Sequence, residues 1–339
     1  MAPADADRSP STSPATRIQA ASVLIVIVNY RTAGLTVDCL ASLEPELRDW
    51  PQASVVVTDN DSGDDSVRLL ETTIHDRGWG RWAQVRPLGR NGGFAFGNNG
   101  AIAPALASGA PPDYVWLLNP DTVVRPGALR ELVAFLDAHP EAGLAGSRLE
   151  DPDGTRQVSS FRFPSILGEL DHGSRFGPFR RFVARWAGHP SVGDDSQAVD
   201  WVAGASLLVR RAVFEDVGLL DDGFFMYFEE VDFCRRALQG GWSCWYVPAS
   251  RVVHLVGQAS GVTDRTQTLK RVPGYWFEAR RRYFLRNHGR FRTLIADVAW
   301  SAGALSFFAR NLIQRKPSDM PDRFFQDFLR HNFVPTRSR

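Results

Sequence analysis

Polar side chains stand directly after the apolar runs in the first half of the sequence, where strands would end. A residue at the carboxyl edge of a parallel sheet faces whatever binds there, so these positions are candidates for chemistry. They are Asn29 and Tyr30, Asp59 and Asp61, and Asn119 and Asp121. A carboxylate such as Asp121 can hold a hard divalent cation that also binds a diphosphate, although the dipeptides around Pro120 are equally typical of a strand-ending turn.

The segment RNGGFAFGNN at 90–99 is rich in glycine where a helix should begin. Free backbone amides at a helix start suit a phosphate or a sugar, and Gly92 has no side chain to block their approach. Asn91 adds a polar side chain beside them. The segment matches neither GxGxxG nor a Walker loop, which disfavours a dinucleotide or ATP site. A tight turn with a helix cap is the alternative interpretation.

Three acids lie close together in FFMYFEEVDFCRR, at 224–236. Glu229, Glu230 and Asp232 repel one another and stand beside aromatic side chains, and both effects raise the pKa of a carboxyl group. A raised pKa suits a general base, so these acids are the candidate catalytic residues. The alternative is the acidic first turn of a helix, where negative charge meets the helix dipole. Both interpretations can hold at once.

Two further patterns favour structural roles when they are taken alone. His254 lies among apolar neighbours in VVHLVG, a setting more typical of a core histidine than of a ligand. The run DPDG at 151–154 spaces two carboxylates as a metal motif would, but its Pro and Gly predict a hairpin turn.

The elements that position these residues alternate in type through the first half. Apolar runs predict strands at 23–28, 54–58, 84–88 and 114–118, and helical spacing predicts helices at 36–47 and 65–75, with another beginning at 91–97. This β-α-β-α-β-α-β order predicts a doubly wound sheet whose ligands bind at the carboxyl ends of its strands.

The second half has a mixed pattern. It predicts a strand at 200–210, a helix at 229–239, and short strands at 242–247 and 252–255. From about residue 263 the apolar residues take helical spacing and arginines cluster. We therefore expect three parts, namely a disordered tail over 1–20, a catalytic domain over 21–262 and a basic helical extension over 263–339.

Composition and charge bound the function. The 339 residues are 44% apolar and 23% charged with a formal charge of +1, as in an ordinary soluble enzyme with no global attraction for nucleic acid. Residues 265–339 hold 16 Lys and Arg against 5 Asp and Glu. Three cysteines without CxxC spacing indicate a reducing compartment, and no segment has the length of a membrane span, so we expect a cytoplasmic protein.

Taken in order, the motifs resemble the family 2 glycosyltransferases, and within them the rhamnosyltransferase-like group. The motifs are VLIVIVNYR, VVVTDNDSGDDS, GRNGGFAFGNN, WLLNPDTVV, RLEDPDGTRQ, DWVAGASLLVRR, FFMYFEEVDFCRR and VVHLVG, which span roughly residues 22 to 262. The resemblance implies a GT-A fold, which is a Rossmann-like mixed α/β sheet flanked by helices. It also implies a nucleotide-sugar donor, a divalent metal (Mg²⁺ or Mn²⁺) and inversion at the anomeric carbon.

The resemblance also implies roles for single residues. The base and ribose of the donor would lie near Asn29, Tyr30, Asp59 and Asp61, and its diphosphate near Asn91 and Gly92. Asn119 is a further donor-binding residue. Asp121 matches the last acid of the metal-binding DxD motif, and His254 matches a histidine near the metal and diphosphate. Glu230 matches the base, with Glu229 and Asp232 as the other acids of that motif. Trp201 and Gly204 would line the acceptor side.

Two positions depart from the family pattern. Asn119 replaces the first acid of DxD, which leaves most of the metal's charge to Asp121. Glu230 stands where the family usually has Asp, which lengthens the base by one methylene, and a misplacement of ~1 Å can cost a hundredfold in rate. A catalytically inactive sugar-nucleotide-binding or scaffold protein is therefore an alternative. A nucleotidyltransferase is another, but no phosphate-binding Gly-rich loop with a Lys follows the first strand.

The expected partners follow from the same resemblance. They are a nucleotide diphosphate sugar and a glycan or polyprenyl-linked acceptor, without nucleic acid. The basic extension mixes cations with aromatic residues, which fits peripheral contact with the inner face of a membrane through residues 265–316. Docking of this extension onto the acidic first part of the chain is the alternative.

Overall fold

The computed structural model describes residues 21–48, 50–184, 187, 193–255 and 271–334. The tail expected over 1–20 and the start of the extension expected near 263 lie outside these ranges.

The first half forms the predicted alternation of strands and helices. Its strands are β1 (Val23–Asn29), β2 (Ala53–Asp59), β3 (Ala83–Pro87), β4 (Tyr114–Leu118), β5 (Thr122–Val124) and β6 (Ala142–Glu150). Its helices are α1 (Ala33–Arg48), α2 (Ser66–Asp76), α3 (Gly93–Leu106) and α4 (Ala128–Ala138). The predicted helices and strands of residues 23–118 are thus confirmed to within a few residues at their ends.

The second half is mixed, and its last part is helical. Its strands are β7 (Ser160–Phe161), β8 (Gln197–Val199), β9 (Trp201–Val202), β10 (Ser206–Arg210) and β11 (Ser243–His254). Its helices are α5 (Ile166–Ser174), α6 (Gly177–Val183), α7 (Arg211–Val217), α8 (Glu229–Gln239), α9 (Gly274–Gln314) and α10 (Phe324–Phe333). The predicted helix at 229–239 is confirmed at both ends.

The main sheet is mixed, in the order β3-β2-β1-β4-β10-β6-β11-β5. Strands β1 to β4 are mutually parallel, whereas β10 is antiparallel to both β4 and β6. Alternate residues of β1 enter different cores, with Ile25 and Ile27 on one face and Leu24 and Val26 on the other. Burial on both faces is why this strand is an unbroken aliphatic run.

Two predicted strand assignments need correction. The expected strand 200–210 divides into β9, which pairs with β7 in a small sheet, and β10, which lies in the main sheet. A short turn with Gly204 at its centre separates them. The expected strands 242–247 and 252–255 are one strand, β11, whose register against β6 shifts between Val247 and Arg251. A bulge of this kind re-aims a strand without ending it.

Helix α9 packs tightly against α5. A Cβ atom on Gly173 would lie 2.2 Å from the carbonyl oxygen of Trp300, and one on Gly303 would lie 2.6 Å from that of Leu170. Glycine at both positions therefore lets the two helix backbones approach each other. Helix α9 itself bends at Gly289, whose φ of 74° is non-helical.

Several aromatic and basic residues of the extension are buried in contacts within the protein. Phe277, Tyr283 and Phe284 are buried. Arg280 is also buried, and it donates to the carboxylates of Glu169 at 2.7 Å and Asp297 at 2.7 Å. Such a buried cation is stabilised only while its partners stay in place. These contacts support the alternative in which the extension docks onto the rest of the chain, at least for residues 277–284. None of the described helices combines the length and the hydropathy that spanning a bilayer requires.

Candidate active site

Asn29 and Asp59 face each other at the carboxyl ends of β1 and β2, where they are register partners. The Asn29 amide donates to the Asp59 carboxylate at 2.7 Å, and the Ser62 hydroxyl donates to it at 2.6 Å. Both predicted donor-binding residues are almost fully buried. Their hydrogen bonds hold the carboxyl ends of the two strands together.

Tyr30 and Asp61, the other two predicted donor-site residues, are exposed at these strand ends. Asp61 and Arg31 both have positive φ, near 59° and 58°. The Arg31 guanidinium lies 5.2 Å from the Tyr30 ring centroid and donates to the Ser62 carbonyl. A cation and an aromatic face thus stand together at the strand ends. Arg31 is not among the residues predicted from the sequence patterns, although it directly follows Tyr30.

The glycine-rich segment is held against the chain that precedes α8. The Asn91 side chain accepts from the Gly93 amide at 3.0 Å, and the Phe94 amide donates to the Phe225 carbonyl at 2.9 Å. Asn60, which is likewise not among the predicted site residues, donates to the Gly93 carbonyl. The amides of residues 93 and 94 are therefore used within the protein, which reduces the free-amide cradle expected at this helix start. Gly92 lies at the cap position just before α3.

Gly93→Ala is expected to destabilise the protein by about 2–4 kcal/mol, since a left-handed φ and an overpacked contact each cost of order 1–3 kcal/mol. The φ of Gly93 is +85°, and an added Cβ would lie 1.7 Å from the Phe225 carbonyl oxygen. Urea denaturation measures the change. The matched control is Gly34→Ala in α1, where nothing lies within 4 Å of the added atom. Equal unfolding free energies for the two variants would contradict the close contact.

Asp121 and His254 come together where β5 meets β11. Asp121 is 2% exposed, and its Oδ1 lies 3.5 Å from His254 Nε2. The strand register brings this about, because Thr122 pairs with His254, and the Leu255 amide donates to the Asp121 carbonyl. The structure thus places both predicted metal residues at one point.

A divalent cation fits this pair if the substrate completes its coordination. Asp121 and His254 offer one carboxylate and one imidazole. No group of three or more His, Cys, Asp or Glu that could hold a metal occurs in the part of the chain that the structure describes. Mg²⁺ and similar ions are commonly held by one or two carboxylates together with substrate phosphates and water. This donor set therefore suits an ion that arrives with a diphosphate.

The turn around Gly204 joins the Asn119 region to the acids of α8. The Asn119 amide donates to the Ala205 carbonyl at 3.1 Å. On its other side, Gly204 contributes a backbone N–H that lowers the pKa of Glu230, and a Cβ on Gly204 would lie 3.7 Å from the Glu230 Cβ. The predicted acceptor-side glycine therefore lies between the predicted base, Glu230, and the segment that carries Asn119 and Asp121.

Glu230 occupies a half-buried position at the start of α8. Two consecutive residues before the helix, Tyr227 and Phe228, have positive φ, a conformation that costs energy in non-glycine residues and that clusters at functional sites. Burial raises the pKa of Glu230 to about 7, against backbone N–H groups that lower it. A carboxyl group with this pKa can accept a proton near neutral pH.

The other two acids of the motif have different surroundings. Glu229 is buried, and its burial, followed by the charge of Glu230, raises its pKa well above the usual value. Asp232 is fully buried, and its carboxylate accepts from Arg236 at 2.9 Å and from Asn287 at 3.2 Å. Asp232 thus ties α8 to α9, and of the three acids Glu230 lines a cavity.

That cavity has a volume of about 230 Å³ and lies between the β7–β9 sheet, α5, α8 and α9. Its polar lining comes from Arg162, Ser165, Glu169, His172, Glu230 and Arg280. Its aromatic lining comes from Phe161, Phe163, Trp201, Tyr227, Phe228, Trp276 and Trp300. The Trp201 ring stacks on Phe161 at 4.1 Å between centroids, and its Nε1 donates to the Arg162 carbonyl. Aromatic faces beside a few polar groups suit a ligand that is partly apolar, such as a sugar ring.

Residues 20–272 match the family model described as glycosyltransferase-like family 2. The chain belongs to this family. It is 31% identical over 253 residues to the N-acetylglucosaminyl-diphospho-decaprenol L-rhamnosyltransferase of Mycobacterium tuberculosis H37Rv. The alignment covers 70% of this chain and 77% of that relative. It is 29% identical over 167 residues to the rhamnosyltransferase WbbL of Escherichia coli K12, covering 48% of this chain and 61% of that protein.

A solved structure supports the fold of this glycosyltransferase. The mannosyltransferase PcManGT of Pyrobaculum calidifontis, in complex with GDP-Man and Mn²⁺, superposes with a TM-score of 0.54 at 14% identity, covering 88% of this chain and 76% of that one. The predicted GT-A fold is confirmed, with a helical region at its C-terminal end. As a glycosyltransferase, the protein is an enzyme that moves a sugar from a nucleotide sugar.

Proposed function

We propose that the protein is an inverting glycosyltransferase that moves L-rhamnose from its nucleoside diphosphate to a hydroxyl of a glycan linked to a polyprenyl diphosphate. The observation that carries this proposal is Glu230, which lines an aromatic cavity and has a pKa of about 7. The choice of sugar and of a lipid-linked acceptor is supported by the names of the rhamnosyltransferase relatives.

The reaction is a single displacement. Glu230 takes the proton of the acceptor hydroxyl as its oxygen attacks the anomeric carbon. The bond from that carbon to the donor's diphosphate breaks, and its electron pair leaves with the diphosphate, so the configuration inverts. Proton transfer to a positioned base supplies ~10²- to 10⁴-fold, and positioning of the two substrates supplies much of the rest.

Asp121 and His254 would hold the divalent cation, Mg²⁺ or Mn²⁺. When bound, such a cation neutralises charge that develops on the leaving diphosphate. Two residues before Asp121, the Asn119 amide donates to the Ala205 carbonyl, which holds the end of β4 against the Gly204 turn. Asn119 in place of an acid leaves Asp121 as the anionic ligand of this motif.

The donor would lie along the strand ends, between Asn29, Tyr30 and Asp59 on one side and Asn91 and Gly92 on the other. Exposed Tyr30 and Asp61 are placed to contact a base and a ribose. Buried Asn29 and Asp59 would shape the pocket for them, since their side chains already bond each other. This division of roles refines the donor-binding set predicted from the sequence.

The acceptor would enter the aromatic cavity beside Trp201 and Gly204. Trp276 and Trp300 of α9 line the same cavity. We therefore propose that the catalytic unit ends near residue 262 and that the helical extension after it completes the acceptor site. If the acceptor is carried by a polyprenyl diphosphate, the transfer reaction takes place at a membrane surface.

A panel of nucleotide sugars tests the function. Nucleoside diphosphates of L-rhamnose, glucose, galactose and mannose are incubated with the protein and a short soluble glycan-diphosphate acceptor, with Mg²⁺, Mn²⁺ or EDTA, and products are read by mass spectrometry. We expect a deoxyhexose mass increment with the rhamnose donor and no product in EDTA. Transfer of a different sugar would overturn the donor assignment, and binding of donors without transfer or hydrolysis would identify an inactive binding protein.

A further inference from the structure

Helix α9 has two apolar faces after its bend, and only one of them is packed. Trp300, Ala304 and Phe307 are buried against the neighbouring helices. The opposite face is exposed, with Val298 at 52%, Leu305 at 57% and Leu312 at 81% exposure. No described residue covers that face. A helix that is apolar on both sides and packed on one has surface left for a partner.

The exposed residues form a regular stripe. They are Phe291, Leu294, Ile295, Val298, Ala302, Leu305, Ala309, Leu312 and Ile313. Their spacing of three or four residues keeps them within an arc of roughly 100° on the helix surface. At 1.5 Å per residue the stripe is about 33 Å long. We call these nine residues the α9 stripe.

The charges around the α9 stripe have one sign. Arg290 and Arg292 stand at its beginning, and Arg315 and Lys316 follow its end. The one acid between residues 290 and 316 is Asp297, which is buried and paired with Arg280. The exposed surface of this segment therefore combines apolar side chains with cations.

A second cavity adjoins the α9 stripe. It has a volume of about 350 Å³, and its lining includes Arg281, Arg290, Leu294 and the buried Asp297, which is already paired with Arg280. Leu294 also belongs to the stripe, so a recess with two arginines and one paired acid borders the apolar surface. An anionic headgroup beside its acyl chains has the matching arrangement of charge and apolar surface.

A second copy of the chain fits this face less well than a lipid surface does. Two helices paired antiparallel through the stripe would bring Arg290 and Arg292 of one copy toward Arg315 and Lys316 of the other. Parallel pairing would bring each basic end toward itself. Both arrangements place like charges together, whereas an anionic bilayer supplies charge of the opposite sign along the whole length.

We propose that the α9 stripe lies in the interface of an anionic membrane, with its apolar side chains below the headgroups and its basic ends among them. Membrane binding by α9 agrees with the proposed transfer to a lipid-linked acceptor, but its evidence is the surface of α9 alone. Trp276, Arg280 and Trp300 of the same helix line the acceptor cavity. A membrane-bound α9 would hold that cavity close to the headgroups.

Co-sedimentation of the full chain with vesicles tests the proposal. The protein is mixed with phosphatidylcholine vesicles or with vesicles that also contain phosphatidylglycerol, at low and high salt. We expect binding to the anionic vesicles that salt weakens. The double variant Val298→Gln/Leu305→Gln should lower the partition coefficient roughly tenfold or more, because binding scales with buried apolar area. Arg315→Gln/Lys316→Gln should weaken the dependence on salt.

The matched control is Val158→Gln/Leu238→Gln, which changes the same residue types at similar exposures of 56% and 52% elsewhere on the surface. The control should bind as the wild type does. Equal binding by the two double variants, or a wild type that stays in the supernatant, would overturn the proposal. So would a dimer in light scattering that Val298→Gln/Leu305→Gln dissociates, since the partner would then be a second copy.

Activity separates this inference from the proposed function. Val298 and Leu305 lie outside the acceptor cavity, so their double variant should transfer sugar to a soluble acceptor at the wild-type rate. If the wild type binds anionic vesicles through the stripe but transfers no sugar, the proposed function is refuted and the membrane-binding proposal is retained.

Discussion

Glu230→Gln is expected to lower turnover by about 10²- to 10⁴-fold, the contribution of a general base, with the donor's dissociation constant unchanged. Gln keeps the size of Glu230 but cannot take the proton of the acceptor hydroxyl. The donor would bind on the far side of the Gly204 turn, so its affinity should not depend on this proton. Single-turnover kinetics and donor calorimetry measure the two quantities separately.

The pH dependence gives a second readout. The base must be ionised, and the pKa of Glu230 is about 7, so wild-type turnover should rise as the pH increases through about 7. Glu230→Gln should lose this rise. Burial disfavours the ionised form of Glu230, so the wild-type free energy of unfolding should fall as the pH rises through this pKa. Gln carries no charge at any pH. The variant should therefore be at least as stable as the wild type at pH 8.

Glu229→Gln is the matched control, because it makes the same change one residue earlier. Glu229 is buried, whereas Glu230 lines the cavity, so the control should keep most of the turnover. A normal rate in Glu230→Gln together with a large loss in Glu229→Gln would transfer the role of base to Glu229. Normal rates in both would refute base catalysis from this helix.

The order of elements and the edge at which the site lies could be predicted because they depend on local patterns. Aliphatic runs such as 23–28 are buried on both faces, and their polar ends converge because parallel strands share one carboxyl edge. The register that places His254 opposite Thr122 is not a local property. The resemblance implied a histidine near the metal, whereas pattern alone indicated a core residue.

The precise shape of the site could not be predicted, because contacts distant in sequence determine it. The positive φ values of Tyr227 and Phe228 have no glycine to mark them. The turn at Gly204 lies within 200–210, a mainly apolar run that predicts one continuous strand. Arg31 and Asn60 act through neighbours such as Ser62 and Gly93, which only the fold brings close.

Net charge was a poor guide to the extension. Many of its arginines are paired with acids that lie elsewhere in the fold or within the extension itself. Arg280 contacts Asp297, Arg271 contacts Asp327, and Arg282 contacts Asp221. A sum over a segment cannot separate such buried or paired cations from those that remain exposed beside the α9 stripe.

Asp121→Asn is expected to lower transfer by about a thousandfold or more, since charge stabilisation by a bound metal is worth several kcal/mol. Asp121 supplies the anionic oxygen of the proposed metal site, and Asn119 cannot replace it. The substitution keeps the size of the side chain at this buried position, so the fold should be preserved. Turnover with Mn²⁺ and Mn²⁺ binding followed by electron paramagnetic resonance, with donor present, measure both consequences.

Asp153→Asn provides the control, because Asp153 stands in the exposed hairpin turn at 151–154, whose Gly154 amide donates to the Asp151 carbonyl. This variant should transfer sugar normally. His254→Ala should weaken Mn²⁺ binding less than Asp121→Asn does, because it removes a neutral ligand and leaves the charged one. If Asp121→Asn transfers sugar at the wild-type rate with the same dependence on metal, the cation is held elsewhere, and the contact between Asp121 and His254 has a structural role only.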